Sequence, residues 1–319
     1  MPFVAGIDEA GYGPSLGPLA VGCTVWRVDS RRLDADFWSL LGDTLARAGT
    51  KTDWKLIVDD SKSAFDRKAG IGTLERTVLA FAHDAGLRTD TLANLLADVG
   101  AAGVQADGVP WYRDLNTPLP LDPLRSKYQA VADRLSLSMD EAGVRCVGLR
   151  AEVVNEVRYN RRIGVTRNKG AVLVEQVLRL IAHAGDLAGR SDLIVHVDRL
   201  GGREDYRGLL ADAFPDRHVH ILEQSEDVSR YRLSTQETDW YIDFSIDADK
   251  RRLPVALASM VAKYLREALM ERFNAFWRGL MPSLAATAGY YTDAQRFLKD
   301  IHPVLDRAGL RPEQFVRSR

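Results

Sequence analysis

With 319 residues the chain can bury a sizeable core, as one long domain or as two shorter ones. Its 46% hydrophobic and 27% charged residues suit a water-facing globular protein and exclude a disordered or collagen-like one. A net charge of −1 excludes a surface that coats nucleic acid generally, but leaves room for a local basic groove.

No apolar run approaches the length of a membrane span, and the first residues lack the basic-then-apolar plan of a signal peptide. Cys23 and Cys146 each sit in an apolar run without CxxC spacing, so they read as core thiols of a reducing compartment. A cytoplasmic protein without a membrane partner is expected.

In chain order, the apolar run at residues 3–7 reads as a buried strand. It ends in Asp8-Glu9 and is followed by Ala10-Gly11-Tyr12-Gly13-Pro14 and Ser15-Leu16-Gly17-Pro18. Glycine permits close backbone approach to a ligand and proline fixes the turn. Side chains alternate along a strand, so Asp8 and Glu9 start on opposite faces. A plain acidic turn is the alternative reading. Residues 19–28 form a second apolar run, and the two runs predict a hairpin through the glycine turn.

The spacing of Phe37, Leu40, Leu41 and Leu45 predicts a helix over 36–48. Next comes Asp60-Ser61-Lys62, with Arg67 ahead of a helix predicted to reach residue 85. Lys62 reads either as a phosphate contact or as a solvated lysine in an N-cap turn. Residues 87–142 read as a helical stretch at 91–99, a proline-rich segment at 110–123 holding Trp111 and Tyr112, and a helix at 126–142. Those aromatics could stack on bases or pack back on the core.

Residues 145–154 return to strand character. The run 158–169 carries five basic residues, Arg161, Arg162 and Arg167 among them, and no acid. It reads as a solvated face or as a phosphate-contacting helix start. A helix over 171–183 and a buried strand ending at Asp198 follow, then a strand at 218–222 and a hairpin over 231–246. The alternation predicts a mixed sheet with helices on both faces. In a later helix, Ser259, Lys263 and Glu267 stand four residues apart in one row, either as a polar strip facing a cleft or as a Lys–Glu surface pair.

The string Asp8-Glu9-Ala10-Gly11-Tyr12-Gly13-Pro14 resembles the signature of type 2 ribonucleases H (ribonuclease HII). The family's further motifs are matched in order by Asp60-Ser61-Lys62, by Asp198, by Ala258-Ser259 through Glu267, and by Gly289-Tyr290. Three positions depart from its pattern: Tyr12 replaces a basic residue, Glu267 replaces Asp, and Ala288 replaces Lys.

The resemblance implies a ribonuclease H-like α/β fold with a catalytic domain over 1–275, interrupted at about 87–142, and a C-terminal helical extension over 276–319 that contacts substrate. It implies cleavage of RNA in RNA–DNA hybrids, or of ribonucleotides embedded in DNA, leaving a 3′-hydroxyl and a 5′-phosphate. Asp8, Glu9, Asp198 and Glu267 would be the catalytic acids and hold two Mg²⁺ or Mn²⁺ ions. Gly11, Tyr12 and Gly13 would line the minor groove, and Tyr290 would stack on the junction sugar. Lys62, Arg161, Arg162 and Arg167 would contact phosphates, with Ser259 and Lys263 facing the same substrate. Two alternatives stay open: a nucleic-acid-binding protein of the same fold with weakened catalysis, and a nuclease acting on another DNA structure. A monomer is expected.

Overall fold

The computed structural model describes residues 1–52, 54–65 and 70–318; Arg67 lies outside them. Its centre is a mixed sheet of seven strands: β1 (Phe3–Ala10), β2 (Leu19–Val28), β3 (Val144–Val154), β4 (Leu193–Asp198), β5 (His218–Gln224), β6 (Val228–Ser234) and β7 (Asp239–Ser245). The order across it is β3-β2-β1-β4-β7-β6-β5. The predicted hairpin is present, with β1 antiparallel to β2 and Asp8 opposite Gly22. β4 lies parallel to β1 and to β7. The acids that end β1 and β4 therefore emerge side by side at one edge of the sheet.

Helices cover both faces, as the alternation predicted. One core lies beneath α1 (Gly72–Asp84), α2 (Gln129–Ala142) and the long helix α5 (Leu253–Leu280); it takes Val4 and Ala10 from β1. The other lies beneath α3 (Glu156–Thr166) and α4 (Lys169–Ala188) and takes Ala5 and Ile7. This is the two-residue alternation of a strand buried on both sides. α5 begins with proline at its first turn, where no amide is lost, and is mostly apolar all round. It lies directly on the hairpin because β1 and β2 present glycine there. A Cβ at Gly6 would overlap the backbone of Pro254, and one at Gly22 that of Ala258.

The chain beyond α5 folds back over it, ending in α6 (Tyr291–Ile301) and residues 312–316. Trp277 is fully buried among Phe273, Phe276, Phe297 and Phe315. Truncating it to Ala would cost about 3–5 kcal/mol. Trp111 and Tyr112 of the insertion are buried too, with Trp111 edge-on to Phe273 at 5.2 Å, so these aromatics serve the core. α5 runs straight through residues 275 and 276.

Two stretches differ from their sequence patterns. Residues 36–48 hold only a short helix, Phe37–Leu40, followed by an extended Leu45–Ala46 paired with Leu56–Ile57. One helical turn buries Phe37 and Trp38, and the extended piece buries Leu45, so the same apolar spacing is satisfied without a long helix. Residues 158–169 are mostly helical. α3 is capped by Asn155, whose side chain accepts the Arg158 amide, and Arg167 turns left-handed at φ 52° to join α4. No described helix is long and apolar enough to cross a membrane.

Candidate active site

The end of β1, the glycine turn, the short helix Ser61–Ala64, the end of β4 and the start of α5 converge on one cleft of about 270 Å³. Asp8, Glu9, Asp60, Asp198 and Asp249 line it together with Lys62, Ser259, Lys263, Tyr290 and the turn from Gly11 to Pro14.

Asp8 is 7% exposed and accepts the Glu9 amide at 2.7 Å. Burial, then the charges of Glu9 and Asp198, push its carboxyl well above the usual carboxylate range; the Ser259 hydroxyl opposes this. Burial and Asp198 likewise push Glu9 up to about 7. Glu9 Oε2 is buried and has no hydrogen-bond partner among the described residues. Asp198 is pushed up to about 6 by burial, against the Ala248 amide, which donates to its Oδ1 at 2.9 Å, with Asp249 and Asp247 adding to the rise. Burial, then Asp60 and Asp247, raise Asp249. Lys62 opposes the rise at both Glu9 and Asp198. Four acids held up in this way are short of positive charge.

Asp60 behaves differently. Burial would raise it, but the Ser63 hydroxyl and the Ser63 and Lys62 amides bind its carboxylate and hold it low. It caps the Ser61–Ala64 helix and so aims Lys62 into the cleft. Ser61 in turn accepts a 3.0 Å hydrogen bond from Ser259.

The far wall is the glycine turn. Gly11 has φ +88°, and a side chain there would overlap Arg266. Arg266 is 1% exposed and donates to the carbonyls of Leu16 and Ala288 at 3.2 and 3.1 Å. The Gly289 carbonyl accepts the amides of Ser15 and Leu16, which seats Tyr290, 47% exposed, at the cleft mouth. Asp293 fixes this stretch through the Thr287 hydroxyl and the Ala288 amide.

The structure thus brings together Asp8, Glu9, Asp198, Gly11, Tyr12, Gly13, Lys62, Ser259, Lys263 and Tyr290. It does not bring Glu267 into the cleft lining. Glu267 sits one helical turn beyond Lys263 and is bound by it at 2.7 Å and by Arg266 at 3.5 Å, so the Lys–Glu pair is what forms. Arg161 pairs with Asp107 at 2.9 Å and Arg162 with Glu175 at 2.8 Å; neither they nor Arg167 line the cleft. Asp249, which the sequence reading passed over, lines it instead. Its only signal in the sequence is an acid just ahead of the Ala-Ser helix, masked by the adjacent Lys250-Arg251-Arg252.

Among the described residues, no three or more His, Cys, Asp or Glu side chains are arranged to hold a metal ion. No protein-family model matches the chain, and no curated protein does. Among solved structures it is similar to an RNase HII from Archaeoglobus fulgidus, solved in complex with PCNA, at 16% identity and a TM-score of 0.46, over 99% of this chain and 94% of that one. It is also similar to the ribonuclease H2 from Pyrococcus horikoshii OT3, at 14% identity and a TM-score of 0.42, over 98% and 92%. A third likeness is to Bst-RNase HIII in complex with Mn²⁺, at 14% identity and a TM-score of 0.41, over 99% and 66%.

Proposed function

We propose that the chain is a divalent-metal-dependent endonuclease that cleaves RNA in RNA–DNA hybrids or ribonucleotides embedded in DNA. The observation that carries the reading is the convergence of Asp8, Glu9, Asp198 and Asp249, from three separate stretches, on one cleft walled by a glycine turn and Tyr290.

The donor set suits Mg²⁺ or Mn²⁺. All four acids offer hard oxygens, their raised proton affinities mark a site short of positive charge, and Glu9 Oε2 is buried without a partner. Mg²⁺ keeps much of its water and takes one or two carboxylates plus substrate phosphate, so a ready-made three-ligand cage is not required. Asp8, Glu9, Asp198 and Asp249 would hold two ions, which supply water activation and charge stabilisation for hydrolysis to a 3′-hydroxyl and a 5′-phosphate.

The chain's own groups do the rest. Lys62 presents a cation beside Glu9 and Asp198 for a phosphate oxygen. The Ser259 hydroxyl beside Asp8 favours its ionised form, against burial and the neighbouring acids. The turn Gly11–Gly13 offers backbone to a 2′-hydroxyl, the group that tells RNA from DNA. Tyr290 stacks on the sugar at the junction. Arg161 and Arg162 reach phosphates only if their ion pairs open. We place the catalytic unit at 1–275 and the substrate-contacting extension at 276–319, both anchored on α5.

The test is cleavage of a labelled DNA duplex with one embedded ribonucleotide, beside a full hybrid and an all-DNA control, with Mg²⁺, with Mn²⁺ and with EDTA. Cation-dependent cutting of a ribonucleotide-containing duplex alone is expected. Equal cutting of the DNA control would sink the substrate assignment. A second reading, binding with weakened catalysis, is favoured by the lack of a preassembled chelate among the described residues. Binding without cutting in either metal would establish it.

A further inference from the structure

The glycine turn has two sides, and the acid cleft occupies one of them. On the other lies a cavity of about 320 Å³ lined by Tyr12, Gly13, Pro14, Ser15, Tyr159, Lys169, Tyr291, Arg317 and Ser318. Tyr12, Gly13 and Pro14 border both, so the two cavities share one thin wall. Their chemistry is opposite. Five carboxylates line the first, whereas the second is lined by three tyrosines and two cations, with no Asp or Glu among the described residues.

This second cavity is built rather than incidental. Arg317 is 4% exposed, and its guanidinium lies 3.9 Å from the Tyr159 ring centre. It donates to the carbonyls of Gly11 and Tyr12, while its Nε has no hydrogen-bond partner among the described residues. The Arg317 amide donates to Ser15 O at 2.8 Å, and Leu16 bridges to Val316. The floor of the cavity and the back of the turn are therefore one structure. Lys169 stands above it, exposed, with Nζ 4.8 Å from the Tyr12 ring centre and no ion pair among the described residues. Tyr291 is 54% exposed at the rim.

We infer that this cavity is a second nucleic-acid subsite, which takes the nucleotide next to the one held in the acid cleft. The ring of Tyr12 receives its base or sugar, and Lys169 receives its phosphate. The inference rests on the nuclease reading of the acid cleft. Aromatic faces with an adjacent cation are the means by which proteins hold single nucleotides without reading sequence. A lining without carboxylates does not repel the backbone, as the neighbouring cleft does until it is charged with cations. The position of Tyr12 gains a meaning here. Its aromatic ring replaces a basic side chain, and the cations come instead from α4 through Lys169 and from Arg317 below.

The experiment measures binding of a fluorescent RNA–DNA hybrid by anisotropy across a salt series in Ca²⁺, with cleavage in Mg²⁺ followed in parallel. Proteins compared are the wild type, Lys169→Ala, Tyr12→Phe and Tyr12→Leu, each first checked for an unchanged melting temperature. Lys169→Ala should bind about threefold to tenfold more weakly at low salt and lower the salt slope by about 1, the signature of one lost phosphate contact. Tyr12→Leu should weaken binding by about tenfold through lost stacking, and Tyr12→Phe should restore it because the ring is kept. Loss in KM rather than kcat would accompany both. Wild-type affinity and slope in Lys169→Ala and Tyr12→Leu, with cleavage intact, would overturn the subsite and leave the nuclease reading standing. Weaker binding in those variants of a wild type that never cuts would uphold the subsite and overturn the nuclease. Adenosine monophosphate binding that Lys169→Ala abolishes, with hybrid binding untouched, would assign the cavity to a free nucleotide and so overturn the strand subsite.

Discussion

Glu75 is fully buried and Glu9 half-buried with one oxygen enclosed, and the two carboxylates are treated in opposite ways. Glu75, fully buried on α1, accepts from the amides of Leu121 and Asp122 at 2.7 and 2.9 Å, from Ser126 at 2.7 Å and from Tyr264 at 2.8 Å. Every one of these partners lies on a different stretch from α1, so the acid fastens the insertion to the long helix. Glu9 has an oxygen with no partner among the described residues and an acidic neighbour, Asp198, that raises it further. A buried acid surrounded by donors is a fastener, whereas one left short among other acids is a candidate ligand for a cation.

The sharpest way to break that contrast is Asp198→Asn. Cation-dependent cleavage should fall by roughly a thousandfold or more. The same protein should melt higher than wild type near neutral pH, because one source of repulsion at Asp8 and Glu9 is gone. A variant that loses activity and also melts lower would place Asp198 among the fasteners.

Glu75→Ala should do the reverse. Urea unfolding should show about 3–5 kcal/mol lost, since several buried donors lose their acceptor together. Single-turnover cleavage by the folded fraction should stay within a few-fold of wild type.

Asp249 and Glu267 sharpen the comparison within the site itself. Asp249→Asn should reduce cleavage by about a hundredfold, and Glu267→Gln by less than about threefold, because only the first lines the cleft. Equal losses would reinstate Glu267.

The smallest effect is on stability against pH. Unfolded Glu9 ionises near 4.5, while the folded protein keeps its proton to about 7. Between those values the native state binds more protons, so Glu9 costs stability as pH rises through that window, and the cost persists above it. Urea midpoints in EDTA at pH 5 and pH 7.5 should show wild type losing on the order of 2 kcal/mol relative to Glu9→Gln. Mg²⁺ should restore the difference at pH 7.5 and have little effect at pH 5.

The sheet was legible in the sequence because its strands are short apolar runs punctuated by acids and glycine, as residues 3–28 and 193–198 illustrate. The position of Asp8, Glu9 and Asp198 near strand ends followed from it, whereas their chemical role came only from the resemblance and stands as a proposal. Asp249 was not legible. It sits in a four-residue helix, Ala248–Arg251, with no periodicity to place it and three basic neighbours that read as solvated charge. Glu267 falls outside the cleft lining for a related reason. A row spaced by four residues defines a helix face, but not how far along that face the cleft extends. Leu45 illustrates the same limit, because one apolar spacing fits either a single helix or a turn followed by an extended segment.

The wall of the acid cleft is assembled from residues 11–17, 287–289 and 315–317. During synthesis the first of these leaves the ribosome nearly three hundred residues ahead of the last. A growing chain therefore carries Asp8 and Glu9 long before Arg317 exists to hold the turn beside them. The two halves of the hairpin can pair early, but the surface that would grip a duplex is completed only after residue 317 has been added. The wall of the cleft is therefore among the last surfaces of the molecule that synthesis can complete.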